Sequence, residues 1–244
     1  MLRRFLLYLS VAGWARALMS RFFLARRVAR RFVAGETLQD ALSVTRQLNS
    51  EGLLVSLDYL GESVSNAEDT QEVVDTYLSL IASIKKDRLG SSISLKLTHL
   101  GLDISEELCV NNMRRLLTSA KDADIQVTVD MESSEYTEKT IALYRTLRDE
   151  YGFSNIGTVI QSYLYRSRED MRALAAEGSH IRLCKGAYLE PATVAFPEKA
   201  DVDEQYREIV DEYIQNPDSY LCIATHDENM IQSAKASIAK HVVP

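Results

Sequence analysis

Apolar residues along this chain gather into six short runs rich in β-branched side chains, at 53–60, 92–98, 126–130, 157–164, 180–188 and 220–225. Between them lie longer stretches in which apolar residues recur at helical spacing. The runs begin at intervals of 23 to 40 residues, the rhythm of strand-helix units. Thr37 and Asp40 form a capping-box-like start before Leu38, Ala41, Leu42 and Leu48, and Gly52 follows the end of that helix. Ser105 opens a helix with Val110, Met113, Leu116, Leu117 and Ala120 on one face, and Ser134 opens another carrying Ile141, Tyr144 and Leu147. A further capping box, Ser167 to Asp170, precedes Met171, Leu174 and Ala175, with Gly178 as the stop.

No proline interrupts any of the six runs, and no long Gly/Ser linker marks a second folded domain. One α/β layer system is expected over 53–244, behind a helical region at 1–52. A doubly wound sheet and most of a barrel share this rhythm. The run 180–188 helps to separate them, because it places Arg182 and Lys185 in what reads as a buried strand, and the other five runs also end in polar or ionisable residues. A barrel draws its site from the ends of many strands, whereas a doubly wound sheet concentrates it at one switch point, usually with a glycine-rich fingerprint. The chain has neither GxGxxG nor GxxxxGK[ST]. The expectation is therefore a (βα)8 TIM-barrel-type fold, here incomplete at about six units.

Charge changes the picture only at the start. The 244 residues carry a net charge of −7, yet residues 1–35 hold eight arginines and no acid. The acidic remainder argues against nucleic acid as a partner. The basic start, broken by Phe5, Leu9, Trp14, Leu18 and Phe22, is too interrupted for a membrane span. Ordinary packed helices, a helix lying on an anionic membrane and a cleaved presequence all fit it. Cys109, Cys184 and Cys222 are widely spaced and include no CxxC, so a reducing, cytoplasmic setting is expected.

The strand ends bring together Lys96 with Thr98 and His99, Asp130 with Glu132, Gln161, Arg182 with Lys185, and Thr225 with His226 and Asp227. No metal site is expected, since HxH and HExxH are missing and the cations would repel a divalent ion. Lysine Schiff-base chemistry stays open, because Lys96 and Lys185 both read as strand residues.

The runs also match as words. Val55-Ser56-Leu57-Asp58-Tyr59-Leu60-Gly61-Glu62, Leu95-Lys96-Leu97-Thr98-His99-Leu100-Gly101, Val127-Thr128-Val129-Asp130-Met131-Glu132, Val159-Ile160-Gln161-Ser162-Tyr163-Leu164, Arg182-Leu183-Cys184-Lys185-Gly186-Ala187-Tyr188 and Ala224-Thr225-His226-Asp227 together resemble the proline dehydrogenase family, in its monofunctional bacterial form. The resemblance implies a distorted barrel holding FAD at its strand C-termini. It also implies oxidation of L-proline to 1-pyrroline-5-carboxylate, with electrons passing to a membrane quinone. Carried over by motif, Asp130 and Arg182 resemble the active-site pair and Lys96 the substrate contact. Met131, Gln161, Lys185, Gly186, Ala187, Thr225 and His226 resemble the flavin contacts. A guanidinium beside the flavin would stabilise the charge gained on reduction, and a glycine at 186 would let backbone approach the cofactor.

Asp58 and Glu62 are expected to orient backbone or a neighbouring cation, His99 to be a satisfied core or loop residue, and Cys184 and Cys222 to be small core residues. The resemblance further implies a seventh strand and an eighth strand-helix unit whose arginines grip the substrate carboxylate. No residue before Pro244 matches those arginines, so a fragment of weakened activity is expected. A Schiff-base aldolase barrel and a catalytically silent module that binds a membrane or partner are the alternatives.

Overall fold

In a computed structural model, residues 33–241 are described, so the basic segment at 1–32 lies outside the described residues. The chain divides into two compact units, Met1–Val55 and Ser56–Pro244. In the first, α1 (Leu38–Ser50) starts from a capping box in which Thr37 and Asp40 each satisfy the other's backbone N–H.

The second unit carries the alternation. Its strands are β1 (Val55–Asp58, whose first residue lies at the boundary), β2 (Ser91–Leu95), β3 (Val127–Val129), β4 (Ile156–Gln161), β5 (His180–Cys184) and β6 (Tyr220–Ile223). The helices are α2 (Ala67–Asp87), α3 (Glu106–Asp122), α4 (Ser134–Arg145, running into a π-type turn at Thr146–Glu150), α5 (Ser167–Ala176), α6 (Lys199–Tyr213) and α7 (Glu228–His241). The sheet order is β1-β2-β3-β4-β5-β6, and the pairs from β2 to β6 are parallel. Side chains of Asn66 and Ser105 cap α2 and α3.

The expected cap at Ser167 is absent. Arg166 occupies the N-cap position of α5 without a side-chain bond, and the Ser167 hydroxyl donates instead to the Gln161 carbonyl at 2.5 Å. The serine is buried, and its hydroxyl proton is satisfied by the carbonyl at the end of β4 rather than by its own helix.

One distance shows that the sheet curls. Adjacent strands stand about 4.8 Å apart, so β1 and β5 would be roughly 19 Å apart in a flat sheet. Arg182 on β5 nevertheless reaches Ser56 on β1 at 3.2 Å, across the concave face. Ile181 and Leu183 are buried, while Arg182 and Cys184, on the alternate face, are half-buried. The helices cover the convex side with Tyr77, Met113, Leu116, Tyr144, Leu174 and Tyr206 among the fully buried side chains. Each such side chain contributes roughly 1.5–3 kcal/mol on burial.

Among the described residues no helix is long and apolar enough to cross a membrane.

Candidate active site

The strands are shorter than the apolar runs suggest, and this decides where the polar residues stand. β2 ends at Leu95, β3 at Val129 and β5 at Cys184, so Lys96, Asp130 and Lys185 each occupy the first position beyond the ladder. Neither lysine is a strand residue, contrary to the reading from the sequence. With their backbones at the strand tips, the side chains gather at the C-terminal mouth of the curled sheet.

Three of the expected site residues meet directly. Arg182 Nη1 donates to Asp130 Oδ1 at 3.0 Å, and Lys96 Nζ stands 3.6 Å from Asp130 Oδ2. The second guanidinium nitrogen, Nη2, donates to Ser94 Oγ at 2.8 Å and to Ser56 Oγ at 3.2 Å. Lys96 also donates to Asp58 Oδ2 at 3.2 Å, so Asp58 orients a neighbouring cation as the sequence suggested. The buried Tyr77 hydroxyl lies 3.0 Å from Asp58 Oδ1 and 2.9 Å from the Ser94 carbonyl, and its single proton can serve only one of them at a time. Two cations and two carboxylates from four strands thus share one half-buried volume.

The electrostatics follow from that crowding. Burial works against the Lys96 ammonium, but the Asp58 and Asp130 carboxylates outweigh it and hold its pKa above the ordinary lysine value. Burial pushes the Asp130 carboxyl above the ordinary aspartate value, even though Arg182 and Lys96 pull it down.

The remaining expected residues line the same strand ends without joining this cluster. Met131 is buried beside Asp130 in sequence, and Gln161 donates through Nε2 to the Glu132 carbonyl at 2.8 Å. Lys185 belongs to a second ionic group. Its ammonium donates to Asp203 Oδ1 at 2.5 Å and Asp227 Oδ2 at 2.7 Å, and Lys199 binds the same two carboxylates. Bonds from Lys185 and Lys199 hold Asp227 well below the usual carboxylate range. Gly186 has φ +111°, and a Cβ there would lie 2.4 Å from the Tyr163 ring, so no other residue fits this backbone. The space that glycine leaves is therefore filled by Tyr163. Ala187 and His226 are exposed, and Thr225 accepts from the Asp227 N–H at 3.0 Å.

His99 departs from expectation. It is 6% exposed and stacks on Tyr59 at 5.4 Å, yet its Nδ1 has no hydrogen-bond partner among the described residues. Sequence reasoning missed Ser56, Ser94, Tyr77, Lys199 and Asp203. The two serines carried a signal, since each stands two positions before a charged member of the cluster and so faces the same way.

Residues 41–244 match the proline dehydrogenase family model. The chain belongs to the proline dehydrogenase family. This family member is 40% identical to proline dehydrogenase 1 of Bacillus subtilis strain 168 over 216 residues, covering 88% of this chain and 70% of that protein. It is 40% identical to proline dehydrogenase 2 of the same strain over 239 residues, covering 98% and 78%. Its fold is similar to a crystal structure of proline utilization A from Bdellovibrio bacteriovorus, inactivated by N-propargylglycine. There the TM-score is 0.83 at 22% identity, over 90% of this chain but only 28% of that one. As a member of the proline dehydrogenase family the chain is of an oxidoreductase class acting on proline, with a TIM-barrel-type fold.

The cysteines of this proline dehydrogenase family member give a first prediction. Burial pushes the Cys109 thiol up to about 12 and the Cys184 thiol up to about 11, so both stay protonated at pH 8. Iodoacetamide at that pH is expected to label both at least about 100-fold more slowly in the folded protein than in urea. Mass spectrometry of a time course provides the check.

Proposed function

We propose that this chain oxidises L-proline to 1-pyrroline-5-carboxylate on a bound FAD, with the electrons passed on to a quinone. The observation that carries the reading is the Lys96–Asp130–Arg182 contact at the mouth of the sheet. Proline loses two electrons and two protons when its ring C–N bond becomes a C=N bond. A site for that reaction needs a cation for the substrate carboxylate and another where negative charge collects. Lys96, which keeps its proton, meets the first need, and Arg182, pointing into the concave face, meets the second. Asp130 holds the two cations in place.

The residues present fit a flavin dinucleotide. Two lysines, Lys185 and Lys199, stand together at the β5 and β6 ends, the chemistry a diphosphate requires, although a phosphate must compete there with Asp203 and Asp227. Met131, Gln161, Lys185, Gly186, Ala187, Thr225 and His226 are the residues we assign to holding FAD. When bound, the flavin supplies the two-electron acceptor that no side chain offers. Lys96 is a poor Schiff-base nucleophile in this setting, since its carboxylate neighbours favour the ammonium.

Colour tests the reading. The purified protein is expected to be yellow, or to become so with added FAD, and to bleach anaerobically with proline in the absence of nicotinamide. A quinone should restore the colour. A colourless protein whose melting temperature is shifted by neither FAD nor proline would rule the proposal out in favour of a silent binding module. Trapping of a carbonyl substrate on Lys96 or Lys185 by borohydride would favour the aldolase alternative.

A further inference from the structure

The rim of the mouth is braced by hydrogen bonds that run from strand to strand and do not touch the Lys96–Asp130–Arg182 cluster. At its centre is Glu132, the one buried carboxylate among the described residues, 4% exposed. Its Oε1 accepts from the Thr98 N–H at 3.2 Å and its Oε2 from the Thr98 hydroxyl at 2.6 Å. Gln161 steadies the Glu132 backbone from the β4 side. Having given its proton to Glu132, the Thr98 oxygen accepts from the Ser63 N–H at 3.2 Å, and the Thr98 carbonyl accepts from Val64 at 3.5 Å. The donor-acceptor sense is unbroken, from Ser63 through Thr98 to the carboxylate.

What the relay holds is the loop after β1. Ser63 has φ +32°, a left-handed backbone that a residue with a Cβ adopts only when its surroundings impose it. Two bonds do so, that from its N–H to Thr98 and that from its hydroxyl to Asp103 at 3.0 Å. Gly61 lies against His99 so closely that a Cβ would come within 2.4 Å of the ring. The residue between them, Glu62, reaches back over the mouth, where its Oε1 accepts from the Tyr188 hydroxyl at 3.0 Å. Tyr188 stands directly after Ala187, in the segment we assign to the cofactor.

We infer that Glu132 is a positioning residue: through Thr98 it fixes the loop at 59–64, and through Glu62 it fixes Tyr188 at the rim of the site. This rests on the function proposed above only in taking the mouth as the place where proline binds. The acid acts on no reacting atom. It contributes because its two carboxylate oxygens take both Thr98 protons at once, bonds that favour the charged form against the burial that raises its pKa. In Glu132→Gln one of the two acceptors becomes a donor whichever way the amide turns, so the relay breaks. Thr98→Val removes the hydroxyl with little change of shape, and Thr98→Ser keeps it.

The test is amide exchange of the segment 59–66, read by mass spectrometry in the purified protein, beside steady-state kinetics with proline. Exchange is expected to rise about ten-fold in Glu132→Gln and in Thr98→Val and to stay at the wild-type rate in Thr98→Ser, the scale of one hydrogen bond to a charged group. KM for proline should rise about ten-fold in the first two variants, with kcat within about three-fold of wild type. Unchanged exchange in Thr98→Val overturns the inference even if Glu132→Gln does not fold. Raised exchange with unchanged KM overturns the positioning role. Raised exchange in a protein that never oxidises proline supports the brace and defeats the functional reading instead.

Discussion

With FAD bound as proposed, Arg182→Met is expected to slow its reduction by proline about 10²–10³-fold, while FAD retention weakens less than about ten-fold. The magnitude is that of removing one fixed charge from the place where negative charge collects, about 3–4 kcal/mol. Methionine approximates the length of the side chain and keeps the strand packing between Ile181 and Leu183, so the loss is one of charge rather than of fold. The geometry explains why the effect concentrates on the chemical step. Bonds to Asp130, Ser94 and Ser56 hold the guanidinium from three other strands, leaving it little to reorganise when the electron pair moves. Lysine at this position should recover only part of the rate, because a point charge cannot meet Asp130 and two serines at once. Anaerobic stopped-flow reduction measures the first quantity and equilibrium dialysis of FAD the second. Strong loss of FAD with normal turnover in the residual holoprotein would assign Arg182 to cofactor binding alone.

The parts of this site that were legible in the sequence are those that sequence order dictates. Strand-helix alternation fixes a parallel sheet of ordered strands, and alternation within 180–184 separates Ile181 and Leu183 from Arg182 and Cys184. Family words then carry Lys96, Asp130 and Arg182 to one mouth, and the structure brings these three into contact. What could not be read depends on where ladders stop and on who meets whom. An apolar run does not say which residue makes the last ladder bond, so Lys96 and Lys185 read as strand residues when they are the first beyond it. Nothing in the sequence pairs Lys185 with Asp203 and Asp227, which lie 18 and 42 residues away on other elements. Ser167 looked like a cap because its neighbours fit a capping box, but a buried carbonyl at the end of β4 took its hydroxyl.

Asp130 tests whether the activity and the stability of this site pull in opposite directions. Asp130→Ala leaves Lys96 with Asp58 and leaves Arg182 with two neutral hydroxyls, so turnover with proline is expected to fall about 10²-fold, or 2–3 kcal/mol in the barrier. Asp130→Asn, which keeps the shape and drops the charge, should fall nearly as far. Since burial raises the Asp130 pKa above its unfolded value near 4, activity needs the ionised form and should decline on acidification at a pH above the ordinary aspartate range. Stability runs the other way. A carboxyl whose folded pKa exceeds the unfolded one gives a contribution that is complete below the unfolded value and is lost as pH rises through the folded value. Over that window the melting temperature of the wild type is therefore expected to fall relative to Asp130→Asn, while its turnover rises. Parallel pH series of melting temperature and kcat/KM for the two proteins decide the matter. A constant gap in melting temperature would mean that Arg182 and Lys96 cancel the effect of burial, and a wild type that gains on Asp130→Asn as pH rises would mean that the cations govern the carboxyl; in either case the acid decline in activity above the aspartate range would belong to another group.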